Sequence, residues 1–546
     1  MNLSPKKRAP APKYVSPNQM VLLGFETPFV QKLDPNNRWV LLAKRIPWDK
    51  IASVYTRQMS SSSEGRPPLS ARLVIGALFI KHLNNWDDRE TILQIQENMY
   101  LQYFVGYSSF TTDTAFDPSL FVEIRKRMGD TELNKINEEL VKLHLSTLKP
   151  PVLEVRMESK TPEKDKKEGK EGDKTTISEP INQDIAPEER IKKEEDIKNQ
   201  EEKLGVTLHY GRMITDATAC PQDIAFPTDV NLLSDAREKS EYLIDILYSM
   251  NIYEKKKPRT YRETARKAYL NVAKNRNNSR KAIRKAIGVQ LNFLKRNLKN
   301  IHLLLDGYDK KKVNYPLEKK ELRYFWIIQT LYEQQHEMHK SYTHSVADRI
   351  VSIHQPYVRP IVRGKTNAKV EFGAKINVTL ANGFAFLDDL SWDAFNEGTR
   401  LIKYVEQYNT RFGYYPSEIL ADQIYCNREN RNKLKLLNIK LLAKPLGRPN
   451  LGAIKEYVRP GERNPIEGKF GQGKNAYGLG KIKARLKDTS QSWIASIILI
   501  LNLVKLAGLN LYALCIRVLE NIVNTVIWEL QNITLLFRPN LNNKAG

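Results

Sequence analysis

The chain has 546 residues, with 87 Lys and Arg against 62 Asp and Glu, a formal charge of +25, a pI near 9.6 and 41% hydrophobic residues. That length implies several domains with at least one substantial core, which excludes a wholly disordered basic tail, and the charge points to a polyanionic partner. No uninterrupted apolar run reaches the eighteen or so residues that cross a bilayer, because the best, Ile494 to Leu501, contains Ser496 and is followed by Asn502 and Lys505; no membrane partner is expected.

Residues 1–20 carry Lys6, Lys7 and Arg8 with Pro10 and Pro12 but no apolar stretch behind them, so they read as a mobile basic arm and not as a secretion signal. Residues 21–150 read as an all-helical N-terminal domain, with helices over Ser70 to Leu83, Asp87 to Glu97, Pro118 to Met128 and Thr131 to Leu145. Asp87 and Asp117 are candidate N-caps, and Pro118 suits a first helical position. Such a bundle fits a DNA reader and a plain interaction module alike.

Residues 151–204 read as a charged flexible linker. Between Arg156 and Lys203 stand 12 Lys and Arg, 15 Asp and Glu and no aromatic residue, too little apolar surface to offset the entropy of ordering. Because this stretch is net −3, the positive charge belongs to the rest of the chain.

Short apolar or alternating segments follow at Val206 to His209, Met213 to Asp216, Lys375 to Leu380, Gly383 to Leu387, Glu418 to Asp422 and Lys440 to Ala443, with helical segments between and after them. This mixture predicts an α/β domain over 205–235 and 346–510, interrupted by a basic helical insertion at 236–345, with a C-terminal helix and tail at 511–546. Between Asn251 and Asn300 there are 16 Lys and Arg and only Glu254 and Glu263 against them, a local charge of +14. Ile283, Ile287, Leu291, Leu294, Leu298 and Ile301 there form one apolar helix face, with Arg280, Lys281, Arg284 and Lys285 largely off it. Without acidic neighbours to pair with, these cations gain most from neutralising phosphates. A merely solvated face is the plainer reading.

Three acidic positions stand out. Met213-Ile214-Thr215-Asp216 and Ile419-Leu420-Ala421-Asp422 run apolar strands into a carboxylate, where an α/β sheet presents its functional groups. Glu467 lies in RNPIEGKFGQGK, with Asn464 as candidate N-cap, Pro465 as the first helical residue, and Arg463 and Lys474 near one face with it. Gly468, Gly471 and Gly473 each cost about 0.8–1.0 kcal/mol relative to alanine in a helix, and their missing side chains would let another backbone approach closely. Carboxylates among basic residues suit phosphodiester hydrolysis or transfer: hard divalent cations take oxygen ligands, and two of them can activate the attacking oxygen and stabilise the leaving one.

At these residues the chain becomes recognisable. ITDATACPQDIAFPTDVNLLSDARE, GYYPSEILADQIYCNRENR and RNPIEGKFGQGKNAYGLGKIKARLKDTSQSWI resemble the three acidic blocks of the bacterial insertion-sequence DDE transposases, in the group whose last block carries Y-x2-R-x3-E-x6-K. Arg463, Glu467 and Lys474 match that signature, whereas Pro460 stands at its tyrosine position, with Tyr457 three residues earlier. GRPPLSARLVIGALFIKHLNNWDDRETILQIQENMYLQYFVG and FDPSLFVEIRKRMG resemble the N-terminal helical domain usual in the group. The resemblance implies a ribonuclease H-like catalytic fold in which Asp216, Asp422 and Glu467 hold two Mg2+ ions, with Mn2+ as a substitute. It further implies double-stranded DNA partners, both element ends and target, strand cleavage and strand transfer without a covalent protein intermediate, and a cytoplasmic, nucleoid-associated protein. Synapsis of two ends implies a homodimer, although no heptad run marks one. In this scheme Arg463 and Lys474 would contact terminal phosphates, and Arg280, Lys281, Arg284 and Lys285 would grip duplex DNA. A non-catalytic DNA-binding protein derived from a transposase, and a ribonuclease H-like nuclease, remain the rival functions.

The other chemistry-bearing residues read as structural or stay open. The three cysteines, Cys220, Cys426 and Cys515, form no C-x-x-C and suit a reducing compartment, with Cys220 and Cys426 as small packing residues. His336, His339 and His344 lack metalloprotease spacing. Trp392 reads as core in preference to a base-stacking platform, and Asp388, Asp389 and Asp393 are rival acids that no acidic block supports. Arg349, Arg359, Arg363, Lys365 and Lys369 surround a Pro-interrupted segment that a DNA-facing loop and a solvated loop explain equally well.

Overall fold

The computed structural model describes residues 32–57, 69–146, 153–157, 206–253, 255–275, 277–362, 370–444 and 461–506. The basic arm, the linker from residue 158 onward, Arg363, Lys365, Lys369, Tyr457, Pro460, Cys515 and the expected C-terminal helix and tail lie outside them.

The described residues of the N-terminal region form seven helices: α1 (Arg38–Arg45), α2 (Trp48–Arg57), α3 (Ala71–Asn84), α4 (Asp88–Glu97), α5 (Met99–Val105), α6 (Leu120–Arg127) and α7 (Asp130–Ser146). Asp87 caps α4 by accepting the Glu90 N–H at 2.8 Å. Asp117 does not cap α6. It closes a separate turn, accepting the Ser119 N–H at 2.8 Å, and α6 begins two residues beyond Pro118. α3 is buried on every side from Arg72 to His82, which explains the apolar run from Leu73 to Ile80 within it.

Glu154–Met157, assigned by composition to the linker, forms a strand, β1, paired antiparallel with β2 (Val206–His209). The alternating Glu-Val-Arg-Met suits a two-stranded edge that averaged composition hides. The main sheet contains β3 (Arg212–Pro221), β4 (Arg359–Val362), β5 (Val370–Ala381), β6 (Phe384–Ser391), β7 (Glu418–Leu420) and β8 (Lys440–Leu442). β5 runs antiparallel to β3, and β4 and β6 both pair with β5, whereas β7 is parallel to β3 and β8 is parallel to β7. Asn382 and Gly383, with φ of 52° and 75°, make the β5–β6 hairpin turn that an Asn-Gly pair favours.

Between β3 and β4 the chain folds into four helices, α8 (Asp229–Leu247), α9 (Arg262–Ala273), α10 (Arg280–Lys311) and α11 (Lys319–Ser341), with their own core of Leu243, Ile244, Leu294, Ile301 and Ile328 among others. Of the expected apolar face, Leu291, Leu294, Leu298 and Ile301 are buried, but Ile283, near the start of α10, is 38% exposed.

The remaining helices are α12 (Leu401–Phe412), α13 (Arg428–Leu436), α14 (Asn464–Ala476) and α15 (Lys487–Leu506). By length and composition α15 could cross a membrane, yet most of it is buried inside the protein. It packs between the N-terminal helices and the sheet, so that one continuous core runs from Leu33 to Leu503. The helical region is therefore docked on the sheet. Asn502, fully buried, sits at that junction: its Oδ1 accepts the Ala385 N–H at 2.8 Å and its Nδ2 donates to Asn137 Oδ1 on α7 at 2.8 Å. Asn502→Leu is expected to lower stability by about 1–3 kcal/mol by leaving buried polar groups unpaired, read as a lower urea midpoint at unchanged slope.

Candidate active site

The parallel register of β3 and β7 places Ile214 opposite Leu420. Continued by two residues, it sets Asp216 abreast of Asp422. The expectation that both aspartates close a strand needs correction. β3 continues through Asp216 to Pro221 because β5 pairs with it along that whole length, whereas β7 ends at Leu420 and Asp422 caps the 3-10 turn Gln423–Tyr425, accepting the Gln423 N–H at 2.7 Å. One aspartate is thus fixed in mid-strand and largely buried, and the other stands on a turn with its side chain 58% exposed.

Arg463 joins them. Its Nη2 lies 2.9 Å from Asp216 Oδ2 and its Nη1 lies 3.3 Å from Asp422 Oδ1. Arg463 occupies the N-cap position of α14 and Asn464 is the first helical residue, one step earlier than expected; the arginine side chain is turned to the two aspartates and no side-chain cap forms. Its Nε is buried without a hydrogen-bond partner. Burial pushes the Asp216 carboxyl above its ordinary range; Arg463 and the Ala217 N–H draw it down, while Asp422 and Glu397 push it up. The two aspartates therefore converge on one positive charge, in a place where further negative charge is nearby.

Glu467 is in the first turn of α14 and exposed, and Lys474 is in its last turn. Among the described residues, no three His, Cys, Asp or Glu side chains form a group able to hold a metal ion, so the structure gathers Asp216 and Asp422 but does not bring Glu467 into their cluster. The all-oxygen donor set still fits a hard divalent cation, and two of its members already share a cation in Arg463. Gly468 and Gly471 face open space, whereas a Cβ on Gly473 would press on Leu479 at 3.2 Å. The first two leave a bare helix surface beside the site, and the third serves packing.

Several residues at the site escape a reading of the sequence alone. Glu397 pairs with Lys375, and Asn377, Thr215 and Tyr425 lie buried directly under the aspartates. The signal is present in Lys375-Ile376-Asn377-Val378-Thr379-Leu380, whose polar alternate positions read as a solvated strand face. Asn377 and Thr379 are instead fully buried.

The other candidates separate cleanly. Arg280, Lys281 and Lys285 are exposed at the start of α10. Arg284 is different: its guanidinium stacks 3.5 Å over the Tyr342 ring and donates to the His339 carbonyl, clasping α10 to α11. Asp388 is buried against Arg411 at 2.6 Å, Asp389 pairs with Arg400, and Asp393 is exposed. Arg349 binds Asp229 at 2.6 Å and Arg359 donates to nearby carbonyls. Trp392 is buried edge-on to Tyr357, and Cys220 and Cys426 are buried.

Residues 28–127 match the family described as a transposase domain (DUF772), and residues 419–504 match the transposase DDE domain family. The chain is 31% identical over 127 residues to an uncharacterised protein, ORF8 in the nfe locus of Rhizobium meliloti; the similarity covers 22% of this chain and 59% of that protein's length. No solved structure matches. Both matched families are described as transposase domains, and together they support an insertion-sequence DDE transposase. The DDE match spans Asp422, Arg463, Glu467, Lys474 and most of α15, and Asp216 lies before it.

Proposed function

We propose that this chain, with a transposase domain near its N-terminal end and a DDE domain in its later part, binds the terminal inverted repeats of its own element and catalyses metal-dependent DNA cleavage and strand transfer. The observation that carries the reading is the pairing of Asp216, on β3, and Asp422, on the turn after the adjacent parallel strand β7, around one shared cation. A sheet that is antiparallel on one side of β3 and parallel on the other supports a ribonuclease H-like catalytic fold. Asp216, Asp422 and Glu467 would hold two Mg2+ ions, or Mn2+ in their place, which when bound activate the attacking oxygen and offset charge on the leaving one. Arg463 and Glu467 are four residues apart and so follow one another on the same side of the start of α14. Release of Arg463 from the aspartates would free its guanidinium for a terminal phosphate, for which its planar fork is well shaped. Lys474, three turns further on, would contact the same backbone, and the bare surface at Gly468 and Gly471 would admit it closely. Two DNA ends synapsed together call for a homodimer, and work on the element's DNA places the protein in the cytoplasm with the nucleoid. Nicking of a duplex ending in the element's inverted repeat, dependent on Mg2+ and absent on a scrambled end, tests the reading.

One observation favours a non-catalytic DNA-binding protein: Glu467 is not gathered with the aspartates. On that reading the same duplex would be bound and left intact at every Mg2+ or Mn2+ concentration.

The start of α10 serves as the duplex grip. Its first turn contains no acidic residue, and cations at the positive end of a helix dipole cost about 0.3–1 kcal/mol each, a cost that binding phosphates would offset. Neutralising Arg280, Lys281 and Lys285 to glutamine is expected to flatten the dependence of log affinity on log salt by roughly 0.9 for each phosphate left without its cation, measured by fluorescence anisotropy across a salt series. An unchanged slope would return these residues to the solvated-face reading. Arg284→Gln is expected to loosen α10 from α11 instead.

A further inference from the structure

Beneath the aspartates lies a buried polar network that the chemistry above does not use. Asn377, on β5 opposite Ala217, is fully buried. Its Nδ2 donates to Thr215 Oγ1 at 2.9 Å and reaches Asp388 Oδ2 at 3.3 Å, while its Oδ1 accepts the Tyr425 hydroxyl at 2.7 Å. Thr215 immediately precedes Asp216. Tyr425 closes the turn that Asp422 begins, its N–H donating to the Asp422 carbonyl at 3.1 Å. One amide therefore ties the neighbour of the first aspartate to the turn that carries the second. Asp388 in turn accepts from Thr379 and Arg411, and Arg411 reaches Glu138 on α7 at 2.7 Å.

We propose that Asn377 is a positioning residue that fixes the spacing of Asp216 and Asp422, and with it the affinity of the pair for a divalent cation; this rests on the reading of the aspartates as metal ligands. The amide uses both of its ends, so it sets the direction of each hydrogen bond as well as its length. β7 stops at Leu420, and the ladder that would otherwise hold Asp422 beside Asp216 stops with it. Side-chain bonds through Asn377 take over where the backbone bonds end. In metal sites, partners that orient the ligands commonly govern affinity by 10–100-fold, and Asn377 acts on two ligand-bearing segments at once.

Mn2+ binding to the full-length protein, titrated by electron paramagnetic resonance, provides the test, with circular dichroism to establish folding. Thr215→Val keeps the shape of the side chain and removes the acceptor; Tyr425→Phe removes the donor; Thr215→Ser keeps the hydroxyl. Thr215→Val and Tyr425→Phe are expected to weaken Mn2+ binding by about tenfold or more, with Thr215→Ser close to wild type. A network that merely held the fold together would lower the melting temperature of these variants and leave their Mn2+ affinity unchanged, and that result overturns the proposal. Wild-type protein that binds no Mn2+, or binds it equally well as Asp216→Ala, overturns the metal-site reading and the proposal with it, an outcome distinct from the first.

Discussion

Asp216→Ala is expected to reduce Mg2+-dependent nicking of an inverted-repeat duplex on the order of 10^3-fold, since metal-assisted stabilisation of the transition state is worth several kcal/mol and each 1.36 kcal/mol is a factor of ten. The expectation follows from placement. Asp216 is held in mid-strand by β5 on one side and reached by Arg463 on the other, so its carboxylate has a fixed direction and a counter-ion that it shares with Asp422. Removing it leaves Arg463 facing Asp422 alone. Asp422→Ala and Glu467→Ala are expected to fall by similar factors while duplex affinity, measured separately, stays near wild type. The Glu467 variant decides most: a full loss would mean that α14 brings this carboxylate to the aspartates during the reaction, although they are not clustered in this structure. If all three variants nicked at the wild-type rate, the assignment of the triad would be wrong.

The largest effect on stability is expected from Arg411→Met, at about 3–5 kcal/mol, the usual consequence of removing one partner of a buried ion pair. Arg411 is 7% exposed and Asp388 fully buried, and Arg411 also binds Glu138 of α7 and lies over the Phe386 ring at 5.1 Å. Methionine fills much of the volume and restores none of the charge. Burial already pushes the Asp388 carboxyl above its ordinary range against the pull of Arg411, Thr379 and Asn377, and without Arg411 it rises further. A carboxyl raised in the folded state binds more protons folded than unfolded, so the variant is expected to lose stability as pH rises and recover part of it on acidification from neutral pH towards the ordinary carboxyl range. Adding Asp388→Asn should restore part of the loss at neutral pH. Urea unfolding across that range checks both, and a loss below about 1 kcal/mol would mean that Asp388 stays well solvated after all.

Much of the fold can be read from the sequence because it rests on local pattern. The helices α3, α4, α6 and α7, the positions of β2, β3 and β5 to β8, and the basic helical insertion follow from spacing and composition that act within a few residues, whereas β1 falls in the expected linker and β4 in a segment that reads as a loop. The unpredicted parts have particular causes. α5 is hidden because Asn98 ends α4 and starts the next helix in the same residue, accepting the Tyr100 and Leu101 N–H groups. The end of β3 is misplaced because a strand's length is set by its partner, and β5 lies more than 150 residues away in the chain. Arg284 reads as a free cation because its covering ring, Tyr342, stands at the far end of another helix.

By itself the sequence determined which residues are candidates for chemistry here: three acids in blocks with their basic neighbours and an unbalanced cationic helix. Covalent identity and short-range spacing are sufficient for that. Only the tertiary structure decided which of those acids meet. Asp216 and Asp422 come together through a parallel register between strands some 200 residues apart, Arg463 supplies their shared cation from a helix later still, and Asn377 becomes interior because α12 and the turn at Tyr425 cover a strand face whose alternation alone would leave it in water. Burial and register are properties of partners, and no local pattern encodes them.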